Sequence, residues 1–212
     1  MTKARYVVFD GVDGSGKGTQ LELLQGWFGD RALFTREPGG TPFAEKIRKL
    51  VRNDPLAAEA TPLTNFLLFW AAREELVEKV IMPALEAGQS VFSDRGYSST
   101  WAYQIHGEQR KSLEALFVAM RIEMFQKNGR CPPDLHIVYD LPAEVARERV
   151  MRDTVRERNH FDDRPLAYYR RVREGFRSLG LIHEEVRFIY ATQTPQQMHL
   201  ETLEVLKQYG IE

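Results

Sequence analysis

Short runs of consecutive apolar residues alternate along this chain with longer stretches in which apolar side chains recur every three to four positions. The short runs predict strands at 5–10, 31–35, 89–93, 135–140 and 187–191. The periodic stretches predict helices at 17–28, 42–52, 62–87, 97–105, 109–127, 142–157, 165–179 and 195–208. Strands that alternate with helices in this way build an α/β fold, a five-stranded parallel sheet with helices on both faces. Pro142 and Pro195 stand where a first helical turn accepts proline, and Gly88 where the long third helix should stop. No internal repeat or low-complexity segment interrupts the pattern, so the expectation is a single domain over 1–212.

The first apolar run, Tyr6-Val7-Val8-Phe9, leads into Gly11-Val12-Asp13-Gly14-Ser15-Gly16-Lys17-Gly18-Thr19 and then into the helix-like Gln20-Leu21-Glu22-Leu23-Leu24. A strand, a glycine-rich turn with one lysine and a helix start form an arrangement that cradles phosphates. Glycines let successive backbone N–H groups converge on an anion, the helix start adds positive dipole, and Lys17 reaches the outer phosphates. The expected ligand is a nucleoside triphosphate, and the expected architecture the three-layer P-loop NTPase type. Gly18 stands where a Ser or Thr hydroxyl usually meets Mg²⁺, and Thr19 follows one residue later. Glycines at 14, 16 and 18 do not give the dinucleotide fingerprint G-x-G-x-x-G, and that motif has no role for the lysine.

Composition sets bounds. A formal charge of −1 argues against bulk nucleic-acid binding, so phosphate affinity must come from local clusters. The single Cys131 excludes an intramolecular disulfide, and no signal-type stretch follows Met1. The longest apolar run, Phe66 to Ala72, is too short to cross a bilayer. These features lead to the expectation of a cytoplasmic protein without membrane partners. The five histidines show no metal-ligand spacing.

Ligands of open parallel sheets bind beyond the carboxyl ends of the strands, so Asp10, Arg36-Glu37, Asp94-Arg95 and Asp140-Leu141 are expected at one crevice. Phe69 and Arg73, four apart on one helix face, suit a planar base, the ring by stacking and the guanidinium by donating to carbonyls. Ser93-Asp94-Arg95 ends a strand and is followed by Ser98-Ser99-Thr100-Trp101-Ala102-Tyr103-Gln104, which gathers a carboxylate, a guanidinium, hydroxyls and an amide in a short span.

With these segments in hand, the chain resembles the thymidylate kinase family from its first strand nearly to its last. The resemblance rests on the glycine-rich turn 11–17, on Arg36-Glu37-Pro38-Gly39-Gly40-Thr41, on Leu68-Phe69-Trp70-Ala71-Ala72-Arg73, on Asp94-Arg95 with Ala102-Tyr103-Gln104, and on Pro133-Asp134. It implies transfer of the γ-phosphoryl group of ATP to dTMP, giving dTDP on the way to dTTP. It implies that residues 11–19 bind ATP, that Phe69 stacks on thymine, and that Arg73 and Gln104 read its edge. Arg36, Arg48 and Arg95 would hold the monophosphate and Tyr103 would lie against the deoxyribose, with Glu37 and Ser99 completing the acceptor side. Asp13 and Asp94, with Thr19, would organise the phosphates and Mg²⁺, in part through water. It further implies a homodimer and a mobile lid over about 147–163. The lid carries Arg147, Arg149, Arg152, Arg156 and Arg158. Because no arginine occupies positions 12 to 15, the chain resembles the bacterial type, in which the lid supplies the catalytic arginine, here one of Arg149, Arg152 and Arg156. Two positions depart from the family pattern, Gly18 and Gly96, the latter where an aromatic or histidine usually follows Asp-Arg. The family's Asp-Arg pair near the end of the lid is also replaced, by Asn159-His160.

Phosphoryl transfer is mainly alignment and electrostatic clamping. Lys17, Mg²⁺ and a lid arginine would neutralise the donor, with Arg95, Arg36 and Arg48 bringing the acceptor in line and Asp94 organising both. An acceptor phosphate is already anionic at neutral pH and needs no general base. The sequence leaves three other readings open: a nucleoside monophosphate kinase of different specificity (dUMP or AMP), suggested by Gly16-Lys17-Gly18-Thr19-Gln20; a deoxynucleoside kinase with Asp94 as base; and a slow nucleotide-hydrolysing switch.

Overall fold

The structure, a computed structural model, describes residues 3–126, 130, 132–154, 163–181, 183 and 185–212. Five parallel strands, β1 (Tyr6–Gly11), β2 (Ala32–Arg36), β3 (Ser90–Asp94), β4 (Leu135–Asp140) and β5 (Val186–Tyr190), form one sheet in the order β2-β3-β1-β4-β5. The order places β1 in the centre, where it pairs with β3 (Phe9 opposite Asp94) and with β4 (Asp10 opposite Val138). All six residues of β1 and of β4 are buried, which explains why these strands read as near-continuous apolar runs. On β3, Phe92 collects the rings of Phe9, Phe28 and Phe34 at centroid distances of 5.4, 5.0 and 5.2 Å, tying α1 (Lys17–Phe28) to the sheet.

The helices follow the periodic stretches, with local differences. Helix α2 (Pro42–Asn53) and α3 (Pro62–Leu76) are capped by the Thr41 and Thr61 hydroxyls, which accept from Ala44 and Thr64 N–H. The long third helix runs on through a wide π-type turn (Val77–Ile81) into α4 (Met82–Glu86), and Gly88 follows with φ +81°. The helix expected at 97–105 is α5 (Tyr97–Thr100) continued by π-type winding over Trp101–Gly107. That expected at 109–127 begins as a short 3₁₀ turn and becomes α6 (Glu114–Phe125). Helix α7 (Ala143–Arg152) ends earlier than 157, and 155–157 lie outside the described residues. Pro142 is the residue before α7, not within its first turn. Helix α8 spans Leu166–Ser178, and α9 (Pro195–Gln208) opens with Pro195 inside a capping box from Thr194 and Gln197.

One correction bears on the crevice. Asp140, at the end of β4, does not reach it: its carboxylate is buried against the Arg173 guanidinium (2.6 and 2.8 Å) with Arg177 nearby, so it anchors α8 to the sheet.

Candidate active site

The turn after β1 owes its shape to glycine. Gly14 and Gly16 have φ of +84° and +82°, and a Cβ on Gly14 would lie 2.6 Å from the Ala146 carbonyl oxygen. Helix α1 begins directly after this turn with no acidic residue in its first turn and, unlike α2, α3 and α9, with no side-chain cap. Its leading N–H groups are therefore left for an anion to satisfy. Lys17 opens the helix, and its buried ammonium contacts the Asp94 carboxylate at the end of β3. Burial lowers the lysine pKa, only partly offset by Asp94. Burial pushes Asp94 the other way, but Lys17 and Arg95 outweigh it and hold that carboxyl below its ordinary value.

Arg95 follows in a left-handed conformation (φ +74°), unusual for a non-glycine residue, with its guanidinium aimed back under the turn. It donates to Asp13 (2.8 Å), Ser99 (3.0 Å) and the Tyr103 hydroxyl (3.3 Å), and lies 4.9 Å above the Tyr103 ring centroid. Tyr103 also accepts from the Asp13 N–H (3.2 Å). Below them lies fully buried Asp10, bonded by the Ser98 and Ser99 hydroxyls, its carboxyl raised to about 6 by burial against the pull of Arg95.

These groups form one end of a cleft of about 270 Å³ lined by Asp13, Lys17, Glu37, Pro38, Arg52, Phe69, Arg73, Asp94, Arg95, Gly96, Ser99, Thr100, Tyr103 and Gln104. At its other end Arg73, 2% exposed, donates from Nε to Glu37 (2.7 Å) and from Nη2 to Thr100 (3.0 Å), with its guanidinium 4.5 Å from the Trp70 ring centroid. Its Nη1 and the Glu37 Oε1 are buried without a partner among the described residues, which leaves a donor and an acceptor open at this end. Phe69, one turn earlier, is half-buried and rests on the small apolar cluster of Ala44, Ile47 and Val51 from α2.

The remaining expected residues are placed differently. Arg36 is 52% exposed and turns to Glu45 (3.1 Å to both oxygens), and Arg48 donates to the Pro38 carbonyl (2.8 Å); neither lines the cleft. Burial, then Arg52 and Arg36, bring the Arg48 pKa down to about 10. Arg52 lines the cleft and was missed; its spacing of four from Arg48 on α2 was the available signal. Thr19 is exposed on α1 and outside the cleft lining, and a Cβ on Gly18 would meet only open space. Arg149 lies behind the turn, donating to the Gly14 and Ala191 carbonyls (3.3 Å each). Arg152 is 79% exposed and paired with Glu148 (2.6 Å), while Arg156 lies outside the described residues. Gly96 has a packing reason: its Cβ would stand 2.9 Å from both methyls of buried Val8.

A cleft with a lysine-bearing glycine-rich turn at one end, and at the other an aromatic ring beside a guanidinium with one nitrogen unpaired among the described residues, suits two ligands meeting head-on. The thymidylate kinase family pattern matches residues 9–202 of this sequence. The chain belongs to the thymidylate kinase family. The thymidylate kinase of Pelotomaculum thermopropionicum is 36% identical over 215 residues, covering 97% of this chain and 94% of that protein. That of Chlamydia caviae is 35% identical over 198 residues, covering 92% and 93%. The crystal structure of thymidylate kinase from Ehrlichia chaffeensis superposes with a TM-score of 0.74 at 27% identity, covering 96% of this chain and 98% of that one. Like other members of the thymidylate kinase family, the chain is an ATP-dependent nucleoside monophosphate kinase. No helix among its described residues is long and apolar enough to cross a membrane.

Proposed function

We infer that this thymidylate kinase family member transfers the γ-phosphoryl group of ATP to dTMP, giving dTDP. The observation that carries this reading is that Lys17 of the phosphate turn and the Phe69–Arg73 pair line the same cleft. In this reading Phe69 stacks on the base, and Arg73 Nη1, the donor left without a partner, meets a base carbonyl. Gln104 contacts the same edge, Arg95 and Arg52 draw the acceptor phosphate toward Lys17, and Tyr103 packs beside the sugar. The acceptor dianion attacks in line, so no side chain needs to take a proton. The lysine stays at the donor phosphates because Asp94, held anionic by its two cations, positions it. A lid over about 147–163 supplies an arginine and excludes water during transfer.

The described cleft residues include carboxylates and no histidine or cysteine, and no three His, Cys, Asp or Glu side chains among the described residues gather into a metal cluster, so the donor set suits Mg²⁺ held mostly through water and substrate phosphates. Asp13 and Asp94 are the groups that would hold it, with Thr19 reaching only through water. When bound, Mg²⁺ neutralises charge on the transferring group.

The acceptor side also supports a homodimer. Phe43 and Leu50 on α2 and Leu63 and Leu67 on α3 are exposed apolar residues on two helices that pack against each other. Sedimentation velocity on the full chain is expected to give a dimer. A Leu50→Glu/Leu67→Glu variant is expected to sediment as a monomer, and a monomeric wild type at micromolar concentration overturns the assignment.

Coupled ADP-release assays with dTMP, dUMP, AMP and thymidine test the acceptor. The expected order has dTMP first, with no turnover of thymidine. Turnover of thymidine at a rate comparable to dTMP would instead select the reading in which Asp94 acts as base.

A further inference from the structure

A second cavity, of about 350 Å³, opens beyond the far wall of the cleft, where the start of α3, the segment Gly107 to Arg110 and the start of α8 meet. It lies outside the residues to which the kinase reading gives a role. Among its lining residues are two buried side chains that each carry an oxygen without a partner among the described residues. Asn65 is 8% exposed; its Nδ2 donates to the Ala57 carbonyl (3.3 Å), which fixes the amide orientation and leaves Oδ1 without a partner. Tyr168 is 4% exposed, and its hydroxyl has no partner among the described residues. Arg164 adds a buried Nε with no acceptor among the described residues, although its guanidinium stands over the Tyr168 ring (5.3 Å) and 3.7 Å from Glu108. Leaving such groups unpaired in a folded interior is costly, and a small polar ligand removes the cost.

Charge narrows the class of ligand. Arg110, Arg164 and Arg171 face the cavity against one carboxylate, Glu108, so its lining carries a surplus of positive charge. Arginine forks and a phenolic hydroxyl are donors suited to phosphoryl oxygens. The Asn65 Oδ1 asks for the reverse, a donor on the ligand. We propose that this cavity is a second phosphoryl-binding site, which takes a phosphorylated small molecule carrying a hydroxyl or N–H beside its anionic oxygens. The sources that fit are a nucleotide or free hydrogen phosphate. The cavity and the cleft are lined by neighbouring residues of packed elements: Asn65, Phe69 and Arg73 are spaced by four along α3, and the Tyr168 ring lies 6.4 Å from that of Tyr103.

The proposal does not rest on the identity of the acceptor, and the test is a binding measurement. Equilibrium dialysis with radiolabelled inorganic phosphate, and separately with ATP, is done on the full chain carrying Lys17→Ala, which weakens the phosphate turn. The same measurement is made after adding Arg110→Gln and Arg164→Gln. The expected result is saturable binding of one equivalent of at least one probe by the Lys17→Ala protein, weakened roughly tenfold or more by the two glutamines. Tyr168→Phe, which keeps the ring packed, is expected to weaken it as well, with an unchanged circular-dichroism melting curve establishing that the fold is intact. Tighter binding of ATP than of phosphate assigns the site to a nucleotide, and the opposite order to the free anion. Saturable binding that the glutamine pair leaves unchanged, or no saturable binding of either probe to Lys17→Ala, overturns the proposal.

Discussion

Gly96 and Arg52 illustrate how single residues decide the shape and charge of the cleft. Gly96 has extended backbone (φ −156°), which any residue adopts, so its constraint is contact and not conformation. The two Val8 methyls 2.9 Å from its missing Cβ belong to a fully buried side chain of the central strand and have little room to retreat. Gly96→Ala is therefore expected to destabilise the protein by about 1–3 kcal/mol as overpacking. Urea denaturation measures it, and a variant as stable as wild type would show that β1 yields at no cost. For Arg52 the expectation is kinetic. It lines the cleft while Arg36 is held outward by Glu45, so Arg52→Gln should raise the acceptor KM by about tenfold, whereas Arg36→Gln changes it little. A reversed order in steady-state assays would return the phosphate contact to Arg36.

At the scale of elements, the strands and the long helices were legible because their signals are local: continuous apolar runs for buried parallel strands, and a period near 3.6 closed by Pro, Thr and Gly. The glycine-rich turn after β1 was legible for the same reason, since its glycines and one lysine fall within seven positions. What escaped depended on neighbours distant in sequence. Nothing in Trp101-Ala102-Tyr103-Gln104-Ile105-His106-Gly107 announces π-type winding. The segment is packed closely by α8, where a Cβ on Gly175 would sit 2.8 Å from Ala102 Cα and one on Gly107 would meet the Tyr168 ring at the same distance. Close packing of this kind overrides local period. Asp140 looked like a crevice residue from its strand-end position, yet two arginines of α8, more than thirty residues later, bind it. Long arginine side chains hid the third point: from helix spacing alone, Arg48 and Arg52 were equivalent, and only the Pro38 carbonyl separates them.

The whole molecule responds to pH through groups it buries uncharged. His136 on β4 is 1% exposed; the Tyr97 hydroxyl lies 3.3 Å from its Nε2 and also bonds His183, itself 2.8 Å from the Arg121 guanidinium. Burial first, then His183 and Arg121, hold the His136 pKa down to about 3. In the unfolded chain the ring titrates near its ordinary value, about 6.5. Between these values the unfolded chain binds more protons than the fold, so this contribution is complete above about pH 6.5 and is lost as pH falls toward 3. The slope is about 1.4 kcal/mol per pH unit, or about 2 kcal/mol between pH 6.5 and 5. Asp10 acts in the opposite sense, because a carboxyl raised to about 6 favours the fold below its ordinary value of 3.8 and ceases to do so as pH rises through 6. The slopes of Asp10 and His136 oppose each other between 3.8 and 6, and His183, lowered to about 4 by burial and Arg121, adds to that of His136, so the wild-type profile alone isolates neither group. The difference between wild type and His136→Gln isolates the histidine, since glutamine carries no proton to gain. From urea denaturation at pH 6.5 and pH 5, the variant is expected to lose about 2 kcal/mol less stability than wild type over that interval. Parallel losses in the two proteins would mean that the ring is already protonated in the folded core, or that the core opens to water before the ring titrates.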